Sequence, residues 1–589
     1  MLCTKWATDS HTLTGVDTGV TIARPTPPAV FEVIAKTMQE QMLDHQEIEW
    51  QFDATDLGSV ERWLEDRPPD SGLRVAPSET KKLTDTYYDT EDWRFYRAGY
   101  ALRVRRDGER VEATMKSLAP PEDGGLKRRR EISEPLKYGG LKGLRAVRGP
   151  VGERLRLLLA GQGDLRRLFE VRTRRTVFEL RPEDETAEPH GSSDGIVVGP
   201  EGDIRRREGD APIAEISLDE SEFSGGEGEA RLSRIEVEMS DEGAESYDAV
   251  AGFVDGMRGS LELRPTDSSK YGEGLSAAGL TPAVAPDLGP TEVDGSMTAD
   301  EVAFAILRRH YATMLAHEPG VRLGEDPEEL HDMRVATRRL RAALKLYKEV
   351  LPRRAERYER DLRFFAGALG EVRDLDVHLE RIAAEASRNG EVLEEVSAAL
   401  VERRAGARRR MLEVLDSDRY ERFLASFSGT LRRGRSPASA GPILEVAPDL
   451  VRRRYKKVRK DVEGLGGGSP PEDFHDLRKK GKRLRYALEP LRGIYGKPSE
   501  KMVELLKDVQ DDLGDHQDLI VAAELMRELG VSGDMPPRVA FSLGAMAERY
   551  AREAAEIRAS FLGSELLKAL EGGKPWKRLR KAMRKKAGG

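Results

Sequence analysis

The stretch His331-Asp332-Met333-Arg334-Val335-Ala336-Thr337-Arg338-Arg339-Leu340-Arg341-Ala342-Ala343-Leu344 returns 144 residues later. There it reads His475-Asp476-Leu477-Arg478-Lys479-Lys480-Gly481-Lys482-Arg483-Leu484-Arg485-Tyr486-Ala487-Leu488, with eight of the fourteen positions identical. A second pair of segments keeps the same offset: Leu369-Gly370-Glu371-Val372-Arg373-Asp374-Leu375 and Leu513-Gly514-Asp515-His516-Gln517-Asp518-Leu519. Two separate motifs at one offset mark a duplication. The repeated unit is longer than an ordinary solenoid repeat. The expected architecture of this half is two helical bundles about a pseudo-two-fold axis, near residues 299–430 and 443–570.

Apolar residues three and four apart predict helices from about residue 299 onward. On a helical wheel of about 100° per residue, His331, Arg334, Arg338, Arg341 and Lys345 share an arc of about 80°. Met333, Ala336, Leu340 and Leu344 fall on the opposite side. One face packs and the other carries a column of cations. His475, Arg478, Lys482 and Arg485 repeat that column, and two facing columns line a basic groove. Arginine forks match phosphate oxygens in pairs, and a row of them suits a repeating anion. A merely solvated basic helix offers no reason for the same face to be cationic twice. Asp374, Asp376 and Asp518 read either as acids that orient the arginines or as helix-terminus caps.

Charge separates this half from the other. Residues 1–300 hold 39 Lys+Arg against 58 Asp+Glu, or -19, and residues 301–589 hold 58 against 47, or +11. The 589-residue chain is too long for one core, and the two signs point to two domains with different electrostatic roles. No stretch approaches the roughly 18 apolar residues needed to span a bilayer. The one cysteine, Cys3, excludes an internal disulfide framework and a multi-cysteine zinc site, and fits a reducing cytoplasm. Residues 1–43 lack periodicity and the compact apolar run of a secretory signal, so they are expected to be disordered, with Met38 and Met42 as alternative starts. Residues 276–298 read as a linker rich in Pro, Gly, Ala and Ser, and residues 571–589 as a basic tail with one aromatic, Trp576.

The H-x-x-R…R-R-L-R helix in both copies, with Leu369-Gly370…Arg373-Asp374-Leu375-Asp376, resembles the CHAD family of helical domains over about residues 299–570. The resemblance implies a two-bundle fold that binds inorganic polyphosphate in a central basic groove. The second copy departs at Gln517 and Gly481, where the first has Arg373 and Thr337.

Residues 44–275 read mainly as strands of period two. Charged side chains share one face of each: Glu47, Glu49 and Gln51; Arg103 and Arg105; Thr114 and Lys116; Arg129, Glu131 and Ser133; Arg172 and Arg174; Glu215 and Asp219; Glu236 and Glu238. Ile48, Trp50, Val104, Ile132, Val237 and Met239 take the other face. An open sheet would expose the charged face to water, whereas a closed barrel would enclose it as a polar tunnel. Acidic strands interleaved with basic ones suit a metal–phosphate site.

Tyr87-Tyr88-Asp89-Thr90-Glu91-Asp92-Trp93-Arg94, Gly99-Tyr100-Ala101-Leu102-Arg103-Val104-Arg105 and Ser268-Ser269-Lys270-Tyr271, taken with Glu47-x-Glu49 and Arg129-x-Glu131, are similar to the CYTH family of triphosphate tunnel enzymes. The resemblance implies an eight-stranded antiparallel tunnel that hydrolyses triphosphate or related substrates with Mg2+ or Mn2+, using a water activated by the metal. Glu47, Glu49 and Glu238 then resemble metal ligands, with Glu236 added to that set. Glu47, Glu49, Glu131 and Lys116 form the catalytic group. Arg103, Arg105, Arg129, Arg172, Arg174 and Lys270 resemble substrate-binding cations. Two departures stand out: Gln51 replaces the lysine of a Glu-x-Glu-x-Lys motif, and Ser133 replaces the last acid of Arg-x-Glu-x-Glu.

The expected whole is an α+β multidomain protein with a β tunnel followed by an all-α duplicated domain. Three functions follow: a metal-dependent triphosphatase or polyphosphatase whose helical half concentrates polyphosphate, a binding protein with a silent tunnel, and a nucleic-acid binder. The modest charge and the lack of a base-stacking pattern argue against nucleic acid. The expected setting is the cytoplasm, in association with polyphosphate granules.

Overall fold

The computed structural model of the protein describes residues 45–66, 72–118, 123–160, 164–182, 196–198, 204–206, 211–225, 230–240, 246–261, 263–266, 268–389, 393–434, 440–533 and 535–587. The expectation for residues 1–43 lies outside them.

The alternating strands close on themselves. They are β1 (His45–Asp53), β2 (Leu73–Thr90), β3 (Tyr100–Asp107), β4 (Arg110–Ser117), β5 (Leu126–Pro135), β6 (Leu165–Pro182), the short hairpin β7–β8 (Ile196–Val198 and Ile204–Arg206), β9 (Ala214–Ser224) and β10 (Ala230–Met239). The sheet runs β10-β9-β6-β2-β3-β4-β5-β1, and β1 returns to pair with β10, Gln51 opposite Glu236. All these pairings are antiparallel. The result is an eight-stranded closed barrel, not an open sheet.

The barrel is polar within and apolar without. Trp50, Phe52, Ile216, Leu218, Ile235 and Val237 point outward and pack under Val250, Phe253, Val254 and Met257 of the helix Tyr247–Leu261. Leu102, Val104, Met115 and Ile132 pack outward against Val151, Leu155 and Leu158 of the helix Pro150–Leu159. Helices thus cover the apolar outer wall, and the alternate residues of each strand turn into the barrel. One end differs. There Tyr87, Phe169, Val171 and Phe223 meet Tyr271 and Leu275 of the helix Lys270–Ala277 in an aromatic plug.

The helical half repeats its architecture with its sequence. Helices begin at Ala299 and Pro327, and again 144 residues later at Ile443 and Pro471. Each pair is followed by a 35-residue helix, Ala355–Asn389 in one copy and Lys497–Val531 in the other. One apolar core runs through both copies, from Val302 and Tyr311 to Leu579 and Met583. The basic tail is not a loose end: Lys574–Ala587 is a helix with Trp576, Leu579 and Met583 buried at helical spacing. Among the described residues no helix is long and apolar enough to cross a membrane.

The two domains meet at one carboxylate. Glu325 accepts hydrogen bonds from the Tyr100 hydroxyl at 2.6 Å and from Arg154 Nε at 2.8 Å, and pairs with Arg130 at 2.8 Å. Leu323, two residues earlier, enters the apolar cluster outside β3, β4 and β5.

Candidate functional site

The barrel interior holds a cavity of about 170 Å³, lined by Glu47, Gln51, Arg103, Arg105, Lys116, Arg129, Glu131, Arg175, Glu236, Glu238 and Lys270. Period two brings them together: each strand contributes every second residue, and cross-strand register places acids beside bases. Lys116 Nζ sits among three acids, at 2.7 Å from Glu47, 3.2 Å from Glu49 and 3.7 Å from Glu131. Arg129 reaches Glu49 at 3.4 Å and Arg103 reaches Glu131 at 3.3 Å.

Two interior acids lay outside the sequence-derived site. Asp85 takes a bidentate fork from Arg105 at 2.8 and 2.9 Å. Asp219 takes one from Arg175 at 2.8 and 2.7 Å and also binds Lys270. Counting back two from Tyr87 reaches Asp85, and register sets it opposite Arg105; complementary charges on neighbouring strands were the available signal.

The expectation for β6 is corrected. Arg172 and Arg174 lie on the outer wall with side chains 71% and 65% exposed, and Arg175 holds the interior position. The physical reason is the plug. At that end the inward residues are Phe169, Val171 and Thr173, so an apolar residue no longer marks the outer face. Consecutive Arg174 and Arg175 then leave the phase of the alternation open.

The acids divide by charge balance. Glu236 binds Arg175 at 2.6 Å, Lys270 at 2.8 Å and the Gln51 amide at 3.2 Å. Burial alone would push its carboxyl up, but Lys270 and Arg175 outweigh that and hold it well below the usual range. Arg105 and Arg103 do the same for buried Asp85. Glu47 and Glu238 behave in the opposite way. Burial pushes Glu47 up to about 8, Lys116 opposes this, and Glu49, Glu238 and Glu131 add to it. Glu238 rises to about 7 for the same reasons, burial first. One ammonium serves too many carboxylates.

That excess suits a divalent cation. Glu47, Glu49 and Glu238 offer carboxylate oxygens, the ligand type that Mg2+ and Mn2+ take. Glu236 is set apart from these acids, since Arg175 and Lys270 already pair with it. As they stand, no three acid, histidine or cysteine side chains among the described residues are grouped so as to hold a metal ion.

Gln51 is occupied rather than idle. Lys127, from β5, donates to its Oε1 and to the Ser268 carbonyl at 3.0 Å. Lys127 is fully buried, and burial, then Arg129 and Arg234, lower its ammonium to about 8. Ser133 pairs with the Thr114 hydroxyl at 2.9 Å.

In the helical half the two columns face one another. Burial, then Arg478, Arg338 and Arg485, lower Lys482 to about 8. Arg338 is lowered by burial and by Arg334 and Arg478, with Tyr486 acting against them. Arg338, Arg478 and Lys482 therefore form a half-buried knot of like charge drawn from both copies. Arg338 Nε, Arg478 Nε, Arg485 Nε and His475 Nδ1 are buried without a hydrogen-bond partner, which is costly unless a ligand supplies one.

The outer members are compensated. Arg334 binds Asp374 at 2.8 Å, Arg341 and Lys345 share Glu359 at 3.2 and 3.0 Å, and Arg485 pairs with Glu489 at 3.4 Å. Asp376 pairs with Arg404, and the Asp518 carbonyl accepts from Arg381 at 2.7 Å. His331 stands near Arg373 and Arg338, but burial is what chiefly lowers it. Tyr486, with Arg339 and Arg485 over its ring at 5.6 and 5.3 Å, is a groove residue that the pattern of cations did not reveal.

Comparison with known proteins agrees with both halves. Residues 45–253 match the CYTH domain and residues 305–527 match the CHAD domain. Two uncharacterised proteins of Mycobacterium tuberculosis, from strains CDC 1551 / Oshkosh and ATCC 25618 / H37Rv, are 28% identical over 246 residues, covering 39% of this chain and 46% of theirs. The chain thus spans about half the length of the curated relatives it matches. Among solved structures, the CHAD domain of Ricinus communis is 26% identical with a TM-score of 0.40, covering 51% of this chain and 96% of its own. PptA of Streptomyces chartreusis is 21% identical with a TM-score of 0.38, covering 45% and 98%. HpAC1 of Hippeastrum, described as having a dominant triphosphatase activity, is 16% identical with a TM-score of 0.25, covering 40% and 97%. The chain is a two-domain protein in which a CYTH domain is followed by a CHAD domain.

Proposed function

We propose that the tunnel binds triphosphate, or the end of a short polyphosphate chain, and hydrolyses it with Mg2+ or Mn2+, while the helical groove holds inorganic polyphosphate. The observation that carries this reading is the division among the tunnel acids: Asp85, Asp219 and Glu236 are neutralised from within by Arg and Lys, whereas Glu47, Glu49 and Glu238 crowd round the single ammonium of Lys116, so that burial and one another's charge raise Glu47 and Glu238. Glu47, Glu49 and Glu238 would hold the metal, which when bound neutralises phosphate oxygens and acidifies water. Arg103, Arg105, Arg129, Arg175 and Lys270 surround the cavity and grip the phosphate chain. Lys116 balances Glu47, Glu49 and Glu131 and is poised to donate to a phosphoryl oxygen. In the groove, the orphan donors of Arg338, Arg478, Arg485 and His475 gain partners when a polyphosphate chain enters.

The test is phosphate release from tripolyphosphate with Mg2+ or Mn2+. Glu47→Ala/Glu49→Ala is expected to lower the rate by on the order of 10² or more. Release that is absent in the wild type, or unchanged by the double substitution, overturns hydrolysis. A binding-only tunnel is the second reading, favoured by one observation: neutral Gln51 is already engaged by Lys127 and Glu236. Its signature is triphosphate retention without release. Polyphosphate binding by the full chain is tested at physiological salt. Arg338→Ala and Arg478→Ala are each expected to weaken it, and wild-type protein that retains none overturns the groove.

A further inference from the structure

One strongly charged surface belongs to neither site. The helix Lys574–Ala587 holds eight cations and no acid in its fourteen residues, all eight of them exposed. Among the described residues none of the eight has an ion-pair partner. Like charges four apart, such as Lys577 and Lys581, repel one another. The helix is nevertheless held in place. Trp576 stacks on Tyr455 with ring centroids 3.7 Å apart at 12°, and the Tyr455 hydroxyl donates to the Leu570 carbonyl at 2.8 Å.

Tyr455 belongs to the helix Ile443–Gly464, whose Lys456, Lys457 and Lys460 are exposed and likewise without ion-pair partners among the described residues. The aromatic stack joins the two helices, so both sets of cations present one face. That face belongs to the same domain as the groove: Lys480, on the side of the second column helix turned away from the column, binds Asp461 of Ile443–Gly464 at 2.7 Å.

The composition of the face selects its ligand. Trp576, Leu579 and Met583 are spent on packing, leaving no apolar side to enter a bilayer. Trp576 and Tyr455 are both buried, leaving no aromatic to stack on bases. What remains recognises phosphate charge alone, and it belongs to the domain whose groove is already proposed to hold a phosphate chain. We propose that this two-helix face is a second contact for the same polyphosphate chain, so that long chains engage the groove and the face together. The inference rests on the groove reading. Joining two contacts by one polymer raises affinity without any new bond in the groove, so the face makes the protein select long chains over short ones.

The experiment compares full-length wild type with Lys577→Glu/Arg580→Glu/Lys581→Glu/Lys585→Glu, which keeps Trp576, Leu579 and Met583. Affinity is measured at fixed salt for a polyphosphate short enough to fill the groove alone and for one several times longer. The expected result is a loss of about tenfold or more for the long chain and no change for the short one. Glutamine at the same four positions, which keeps the helix-forming tendency, gives a smaller loss of the same kind. An unchanged long-chain affinity, or equal loss for both lengths, overturns the face. So does a variant that loses binding to duplex DNA but keeps its long-chain affinity, since the face then reads nucleic acid. Arg338→Ala/Arg478→Ala is the control that weakens both lengths. Wild type that binds neither length defeats the groove reading itself, which is a different outcome from failure of the face.

Discussion

Lys482 is expected to make the proposed polyphosphate binding pH-dependent. Its ammonium is lowered to about 8 in the free protein, by burial and by Arg478, Arg338 and Arg485. A bound polyanion favours the charged form and raises that value. Affinity is therefore complete below pH 8 and falls as pH rises through it, by at most about tenfold per pH unit. Titrating polyphosphate binding from pH 7 to pH 9.5 checks the slope. Lys482→Arg, which keeps its charge, is expected to flatten it; a profile identical to wild type in that variant removes Lys482 as the cause. The groove cations were legible because helical spacing put them on one face. Glu359, which Arg341 and Lys345 share, was not: it lies on another helix, and nothing in the spacing of the column points to it.

At the scale of an element, β6 and the second column helix give the sharpest contrasts. Arg175 lies inside the barrel against Asp219 and Glu236, and Arg172 and Arg174 lie outside. Arg175→Ala is expected to abolish tripolyphosphate turnover or binding, while Arg172→Ala and Arg174→Ala stay within about twofold, as surface changes do. The reverse ranking would mean that β6 is turned over. Gly481, on Pro471–Leu488, occupies the place of Thr337 in the first copy. A Cβ there would meet Gln510 at 3.8 Å and Leu506 at 4.0 Å, ordinary contact distances. Gly481→Ala is therefore expected to stabilise the protein by about 0.5–1 kcal/mol, the cost of glycine in a helix interior. Urea unfolding measures it, and a destabilised variant would mean the site lacks that room. Strand and helix identities were readable from period. The phase of β6 was not, because the aromatic plug reverses the usual meaning of an apolar residue.

Across the whole molecule, Glu325 ties the acidic domain to the basic one. Arg154 is almost fully buried beside it, so removing the carboxylate strands a cation. Breaking a buried pair in this way costs about 3 kcal/mol. Glu325→Ala is expected to lower the thermal midpoint and split unfolding into two calorimetric transitions, one per domain. A single unshifted transition would show that the docking rests on apolar contact alone. Glu325 stands two residues before the helix of the first cation column, and its partner Arg130 lies between the tunnel residues Arg129 and Glu131. The groove and the tunnel are thus joined through a few bonds of one chain.

The duplication, the cation columns and the period-two strands were all fixed by the order of residues, since each is a matter of spacing along a helix or strand. The CYTH and CHAD resemblances followed from those motifs. Only the tertiary structure decided whether the charged strand faces were wrapped inside a barrel or left to water, because closure depends on β1 finding β10 about 185 residues away. It also decided which acids are neutralised by cations and which are raised by burial among other acids. Glu236 and Glu238 are two residues apart and alike in sequence. One meets Arg175 and Lys270 from other strands and elements, the other meets more carboxylates, and that difference exists only in three dimensions.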